Sequence, residues 1–200
     1  MQFDLTLTLD GLMTLVAGII AFMAVEHQIK VQRDASKQED ITRNRALAKA
    51  ILFEIDSFYR LYIVDLPGGF AKKDPKADKL IGMKSISPDP FPIYHANAGK
   101  LGGLNEQTIA EVVRFYSFAD AYIHTISEYK TQSERYYAGE NPVVSEEIAR
   151  FYWGQLKDAL PELVERAYTA CLRLSQFSGI EFKTPLVMIS STTLPNKDNA

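Results

Sequence analysis

The sequence has little cysteine and no excess of positive charge, and both shortages restrict what the protein can be. Its 200 residues include a single cysteine, Cys171, so no disulfide can form within the chain. The net charge of −3 argues against a nucleic-acid-binding protein, which normally presents a basic surface. Apolar residues make up 46 % of the chain and charged residues 24 %, which excludes disorder throughout.

Motifs that carry known chemistry are also missing. There is no G-x-S-x-G, no H-E-x-x-H and no paired-cysteine zinc spacing. Asp120, His124 and Glu128 lie four residues apart, but the apolar positions of that segment lie elsewhere, so we expect a solvated trio rather than metal ligands. Cys171 falls on an apolar stripe and is expected to be buried. The sequence therefore predicts no enzyme, no catalytic or metal site and no bound cofactor.

Charge is absent from residues 11–25, which read GLMTLVAGIIAFMAV. Together with Leu9 and Asp10 they reach the minimum length for crossing a hydrocarbon core of about 30 Å. No Lys or Arg precedes Lys30, which is unlike the positive start of a cleaved signal peptide. A buried helix of a soluble protein is the other alternative. We predict a transmembrane helix near residues 9–25, within an anchor formed by residues 1–29.

Positive charge follows this segment directly and predicts its orientation. Residues 30–49 contain three acidic side chains and a larger number of basic ones, namely Lys30, Arg33, Lys37, Arg43, Arg45 and Lys49. Because basic residues resist translocation, the C-terminal side is expected in the cytoplasm and the N-terminus outside.

Small and polar residues recur at helical spacing through the predicted membrane helix. This stripe consists of Asp10, Thr14, Ala17, Ala21 and Ala24. Small residues let helix backbones approach closely in lipid, and polar residues can bond across the contact. The stripe predicts self-association into a homo-oligomer. Two alternatives stay open: a plain anchor, and a narrow conducting path.

Three long helices are predicted beyond or continuing from the anchor, over residues 26–64, 105–137 and 142–178. Each carries apolar residues three and four positions apart, a seam of coiled-coil type. Similar lengths with one long and one short connection favour an antiparallel three-helix bundle. The predicted fold is therefore all-α, with a cytoplasmic domain over residues 30–179 and a tail over residues 180–200.

Several helix ends can be assigned from single residues. Asn105 is a suitable cap for the second helix, and Gly139 is expected to end it. Pro142 suits the first position of the third helix, which Gly179 is expected to end. Pro161 lies inside this helix and is expected to kink it.

Residues 67–104 are predicted to form a long irregular loop, because they contain five of the nine prolines. Asn97 and Lys100, in its last part, are candidates for a ligand or partner site. The favoured alternative is a structural turn with Asn97 and Gly99 in left-handed conformations. In that turn three apolar side chains plug the end of the bundle: Phe91, Ile93 and Leu104.

Three features together resemble a family of small, largely uncharacterised bacterial inner-membrane proteins. They are the N-terminal membrane helix with its polar continuation, the segment ALAKAILFEI at residues 46–55, and the pattern F-P-x-Y-x-A-N-x-G-x-L-x-x-L at residues 91–104, followed by VRFY at residues 113–116. The similarity covers roughly residues 5–130. It implies a location in the bacterial inner membrane and brings no activity or catalytic residues.

These observations predict a membrane-anchored interaction or sensory module that acts through helix-mediated self-association. Its expected partners are the lipid bilayer, further copies of the chain and an unidentified protein, with no nucleic acid. The alternative is an oligomeric pore or membrane-perturbing effector, which would use the same stripe. An enzyme is the least favoured class, because no nucleophile, base and orienting group can be assembled.

Overall fold

The computed structural model describes residues 5–61, 87 and 89–182, and their regular structure is entirely helical. No strand occurs among them, which confirms the all-α prediction. The elements in chain order are α1 (Leu5–Tyr59), α2 (Pro92–Asn97), a 3₁₀ turn (Ala98–Gly103), α3 (Glu106–Tyr137) and α4 (Pro142–Ser178). The predicted end of the first helix at residue 64 and the tail beyond residue 182 lie outside the described residues.

The helix ends follow the local signals in the sequence. The Asn105 side chain accepts a hydrogen bond of 2.9 Å from the Thr108 amide and so caps α3. Gly139 and Gly179 take φ values of 76° and 72° just after α3 and α4, a left-handed conformation that favours glycine. Pro142 is the first residue of α4. These predicted boundaries are confirmed.

Pro161 does not end α4, which continues through it from Pro142 to Ser178. Its ring removes one backbone donor from the helix, and the residue itself is exposed. The predicted kink at this residue stays a prediction.

The chain forms two compact units, residues 1–43 and residues 44–200, and α1 contributes to both. In the first unit every described side chain, from residue 12 to residue 43, is exposed. One described helix, α1, includes a stretch long and apolar enough to cross a membrane by length and composition. Within the described part of the chain, none of the apolar window in that stretch is buried.

The second unit has a single apolar core. The end of α1 supplies one buried stripe with spacings of three and four residues: Ala48, Ile51, Leu52, Ile55, Phe58 and Tyr59. From α3 the core receives Val112, Phe115, Tyr116, Ala119, Tyr122, Ile126 and Tyr129. From α4 it receives Ala149, Trp153, Leu156, Leu160, Leu163, Ala167, Ala170, Cys171 and Leu174. Phe91, Leu101 and Leu104 complete it from the segment before α3.

Contacts join α1 to the segment before α3 and to α3 itself. Asn44 lies against Gly103, just before α3 begins, and Glu54 contacts Tyr116 on α3. The predicted antiparallel arrangement of the three helices stays a prediction.

Candidate functional site

Glu54 is the centre of the candidate site. It lies on the buried side of α1, between Ile51 and Ile55, and is only 8 % exposed. Its carboxylate accepts three hydrogen bonds, from the Ile93 amide at 2.6 Å, the Tyr94 amide at 3.1 Å and the Tyr116 hydroxyl at 2.7 Å. A carboxylate is costly to bury unless such donors replace water, so this arrangement satisfies Glu54.

Glu54 acts as the cap of α2 from another part of the chain. The residue at the cap position, Phe91, has no side-chain acceptor and makes no capping bond. Ile93 and Tyr94 are the second and third residues of α2, whose amides a capping side chain normally accepts. The Glu54 carboxylate takes both amides and so supplies the missing cap.

Two tyrosines lie together at this site, and both bond to the carboxylate, Tyr94 through its amide and Tyr116 through its hydroxyl. The rings of Tyr94 and Tyr116 are stacked, with centroids 3.8 Å apart and planes 12° apart. Burial raises the pKa of Tyr116 strongly, and its hydrogen bond to Glu54 adds to the shift. Burial also raises the pKa of Tyr94, and the charge of Asp120 adds to it. Tyr116 therefore keeps its proton and stays a hydrogen-bond donor to Glu54.

Phe91 anchors the start of this segment in the core. It is fully buried, and its ring contacts those of Phe58, Tyr116 and Phe115 at centroid distances of 4.9, 4.8 and 6.2 Å. Leu104 is also buried, whereas Ile93 is partly buried against the core. These contacts place all three residues of the predicted apolar plug on the core, with Phe91 the most deeply buried.

The last part of the predicted irregular loop is helical, while residues 67–86 and 88 of that loop lie outside the described residues. Residues 92–97 form α2 and residues 98–103 the 3₁₀ turn. Asn97 has a φ of −124°, and among the described residues only Asn141, Gly139 and Gly179 have positive φ. The predicted left-handed conformations of Asn97 and Gly99 are therefore wrong. Pro92 at the first helical position is a local signal for α2, but the cap that Glu54 supplies comes from a distant part of the chain and has no local signal.

We call residues 89–104 the strap. At its start, Asp89 Oδ1 accepts a hydrogen bond of 3.1 Å from the Phe91 amide and lies 2.8 Å from Nδ1 of His95, on the surface. At its end, Gly103 lies so close to Asn44 that a Cβ at residue 103 would overlap that side chain. Asp89 therefore bonds within the strap, whereas Gly103 brings the end of the strap close to α1.

The predicted ligand residues Asn97 and Lys100 lie on the strap and bond within it. Asn97 Nδ2 donates to the Ile93 carbonyl at 2.9 Å, and Lys100 Nζ donates to Asn97 Oδ1 at 3.2 Å. Lys100 is exposed and Asn97 half-buried. The structure therefore brings the two predicted residues together, but the polar atoms of Asn97 serve the strap itself.

The predicted membrane stripe lies in the first unit. Thr14, Ala17, Ala21 and Ala24 are exposed, and the unbroken helix places them on one face by their spacing. The Asp10 side chain lies outside the part that the structure describes. The role of the stripe stays a prediction.

Cys171 is buried, as predicted. Burial, with a smaller contribution from Asp56, raises its pKa to about 12. A thiol in this state does not act as a nucleophile near neutral pH. Within the described residues no group of three or more His, Cys, Asp or Glu side chains is placed to hold a metal ion, and this includes the Asp120, His124 and Glu128 trio.

Sequence reasoning missed Glu54 and its two tyrosines. One signal was available, since Glu54 is a charged residue in the middle of an apolar stripe on α1. Its partners are about 40 and 60 residues away in the chain, however, and no local pattern connects them.

Comparison with protein-family models, curated proteins and solved structures gave no match. The resemblance to inner-membrane proteins therefore stays a prediction.

Proposed function

We propose that this chain is a membrane-anchored interaction or sensory module that acts through association of its helices. Its apolar N-terminal segment crosses the bacterial inner membrane, and the helical domain that follows lies in the cytoplasm. One observation carries the proposal: every side chain from residue 12 to residue 25 is exposed, although nearly all are apolar.

A bilayer is the environment in which such a segment is stable. Ile19, Ile20 and Phe22 are among its large exposed side chains, and each contributes about 1.5–3 kcal/mol when it leaves water. The segment is helical, so its backbone groups are paired internally, as a hydrocarbon environment requires. The basic residues after Gln28 support the orientation with the N-terminus outside.

We further propose that the second unit is a three-helix bundle with coiled-coil-like packing, formed by the end of α1 with α3 and α4. The short turn at residues 138–141 joins α3 to α4, which pack against each other. Residues 105–108 and 173–177 contribute to the lining of one cavity, so the start of α3 lies near the end of α4. This supports an antiparallel pair.

The proposed module acts by self-association through the membrane stripe. Large apolar side chains occupy the other faces of the segment. One face has only short side chains, those of Thr14, Ala17, Ala21 and Ala24. Close packing is the main attraction between helices in lipid, where apolar burial offers little drive. Two copies that meet along this face would approach most closely.

Crosslinking of the full chain in membranes tests this proposal. Changing Ala17 and Ala21 together to Leu keeps the segment apolar but separates neighbouring backbones, so crosslinked oligomer should decrease. Ile19→Leu on another face is the matched control and should crosslink like wild type. Equal crosslinking of the double variant and wild type would contradict the stripe as interface. A cytoplasm-only reporter fused after Ala200 should be active, and its inactivity would reverse the proposed orientation.

A further inference from the structure

A cavity of about 460 Å³ opens at the surface of the second unit, where the start of α3 lies near the end of α4. Residues 105–108 line it on one side, and Arg173, Gln176 and Phe177 line it on the other. Small-molecule sites in proteins have volumes of about 300–1,000 Å³. The cavity is therefore large enough to hold one small ligand.

The start of α3 brings backbone donors to this cavity. Asn105 takes two of the early amides, because its side chain accepts from Thr108 at 2.9 Å and its carbonyl accepts from Ile109 at 3.0 Å. Glu106 and Gln107 are the first two residues of α3, and amides at these positions have no partner within a helix. Such amides and the positive end of the helix dipole favour a bound anionic group.

The Thr108 hydroxyl is a second, independent indication of a ligand. Thr108 lines the cavity and is only 1 % exposed. Its amide is bonded to Asn105, but its hydroxyl has no hydrogen-bond partner among the described residues. A hydroxyl that is buried without a partner costs free energy, which a polar ligand group would recover.

Charges of both signs line the cavity. Arg173 is half-buried, and its Nη1 donates a long hydrogen bond of 3.5 Å to Gln176 Oε1. Its guanidinium, together with the start of α3, suits a carboxylate. Glu106 also lines the cavity and would repel a ligand that carries negative charge alone. A zwitterion uses both charges, and Phe177, partly buried against the core, offers an apolar wall to the rest of the ligand.

We propose that this cavity is a binding site for a free α-amino acid with a large apolar side chain. The ligand carboxylate meets Arg173, the first amides of α3 and the Thr108 hydroxyl. Its ammonium group meets Glu106, and its side chain lies against Phe177. The site lies within the second unit and does not depend on the membrane stripe, so its test is separate from that of the proposed self-association.

Titration calorimetry of the full chain in detergent micelles tests the site with three probes that differ by one charged group. L-Phenylalanine carries both groups, hydrocinnamate lacks the ammonium group and phenethylamine lacks the carboxylate. Phenylalanine should bind at one site per chain, at least about tenfold more tightly than either of the other two. That ratio corresponds to the loss of one hydrogen bond between charged groups.

Three variants assign the charged groups to their residues. Arg173→Gln should weaken phenylalanine binding at least about tenfold and leave phenethylamine binding unchanged, because that probe has no carboxylate. Glu106→Gln should weaken phenylalanine binding without weakening hydrocinnamate binding. Thr108→Val removes the hydroxyl and should weaken phenylalanine binding about threefold or more. Two controls, Arg114→Gln and Glu147→Gln, remove like charges outside the cavity and should bind phenylalanine like wild type.

Several results would overturn the proposal. One is a dissociation constant of wild type for phenylalanine above about 10 mM, and another is equal affinity for the three probes. Unchanged phenylalanine binding in Arg173→Gln, or the same loss in Arg114→Gln, would also overturn it. Thermal unfolding followed by emission of the only tryptophan, Trp153, should match wild type in Arg173→Gln. A lowered melting temperature with equal loss of all three probes would show that Arg173 supports the fold and not the ligand.

Discussion

Between residues 12 and 25, large apolar side chains cover most of the circumference of α1, and all of these side chains are exposed. Between residues 48 and 59, the large apolar side chains lie mainly on one face of the helix and are buried. Phe53 is the exception in the second stretch. A helix that packs in a protein core therefore differs from a helix suited to lipid in the arrangement of its apolar residues more than in their number. The same helix contains both patterns.

A buried charge in the second stretch should have the largest effect. Ile55 is fully buried, so Ile55→Asp should lower the free energy of unfolding of the domain by about 4 kcal/mol or more. Thermal unfolding followed by Trp153 fluorescence measures this. Ile19→Asp is the matched change in the first stretch and should leave the melting temperature of the domain unchanged. Equal loss of stability in the two variants would contradict the distinction between an exposed first stretch and a buried second stretch.

The helices and their ends were predictable because their signals are local. Asn105, Pro142, Gly139 and Gly179 act on residues within one turn of themselves, so each could be read from its neighbours. The stripe on the end of α1 was visible for the same reason. The surfaces that cover this stripe could not be predicted, since a periodic pattern shows which face is buried but not what covers it.

The strap was not predictable because its helix depends on a distant carboxylate. Proline and glycine between residues 88 and 104 indicate a loop, whereas contacts with distant residues, Glu54 and Tyr116, hold α2 in place.

A smaller effect is expected where the strap meets α1. Gly103→Ala places a Cβ in the space of the Asn44 side chain, whose end must rotate away, so it should cost up to about 1 kcal/mol of domain stability. Asn44→Ala in the same chain should recover most of that loss, since it removes the overlap. Gly102→Ala is the matched control, because a Cβ there meets open space. Additive losses in the double variant would show that the two residues do not interact.

The central claim is that the first stretch of α1 lies in lipid while the second belongs to a cytoplasmic domain. Thiol labelling in intact membrane vesicles tests this claim most directly. Ile19 and Phe53 are 50 % and 58 % exposed in the structure, so Ile19→Cys and Phe53→Cys are equally open to reagent unless a bilayer covers one of them. Wild type supplies the blank, because its buried Cys171 should not react. In inside-out vesicles a membrane-impermeant maleimide should label Phe53→Cys and leave Ile19→Cys unlabelled. Similar labelling of the two variants would contradict the membrane anchor.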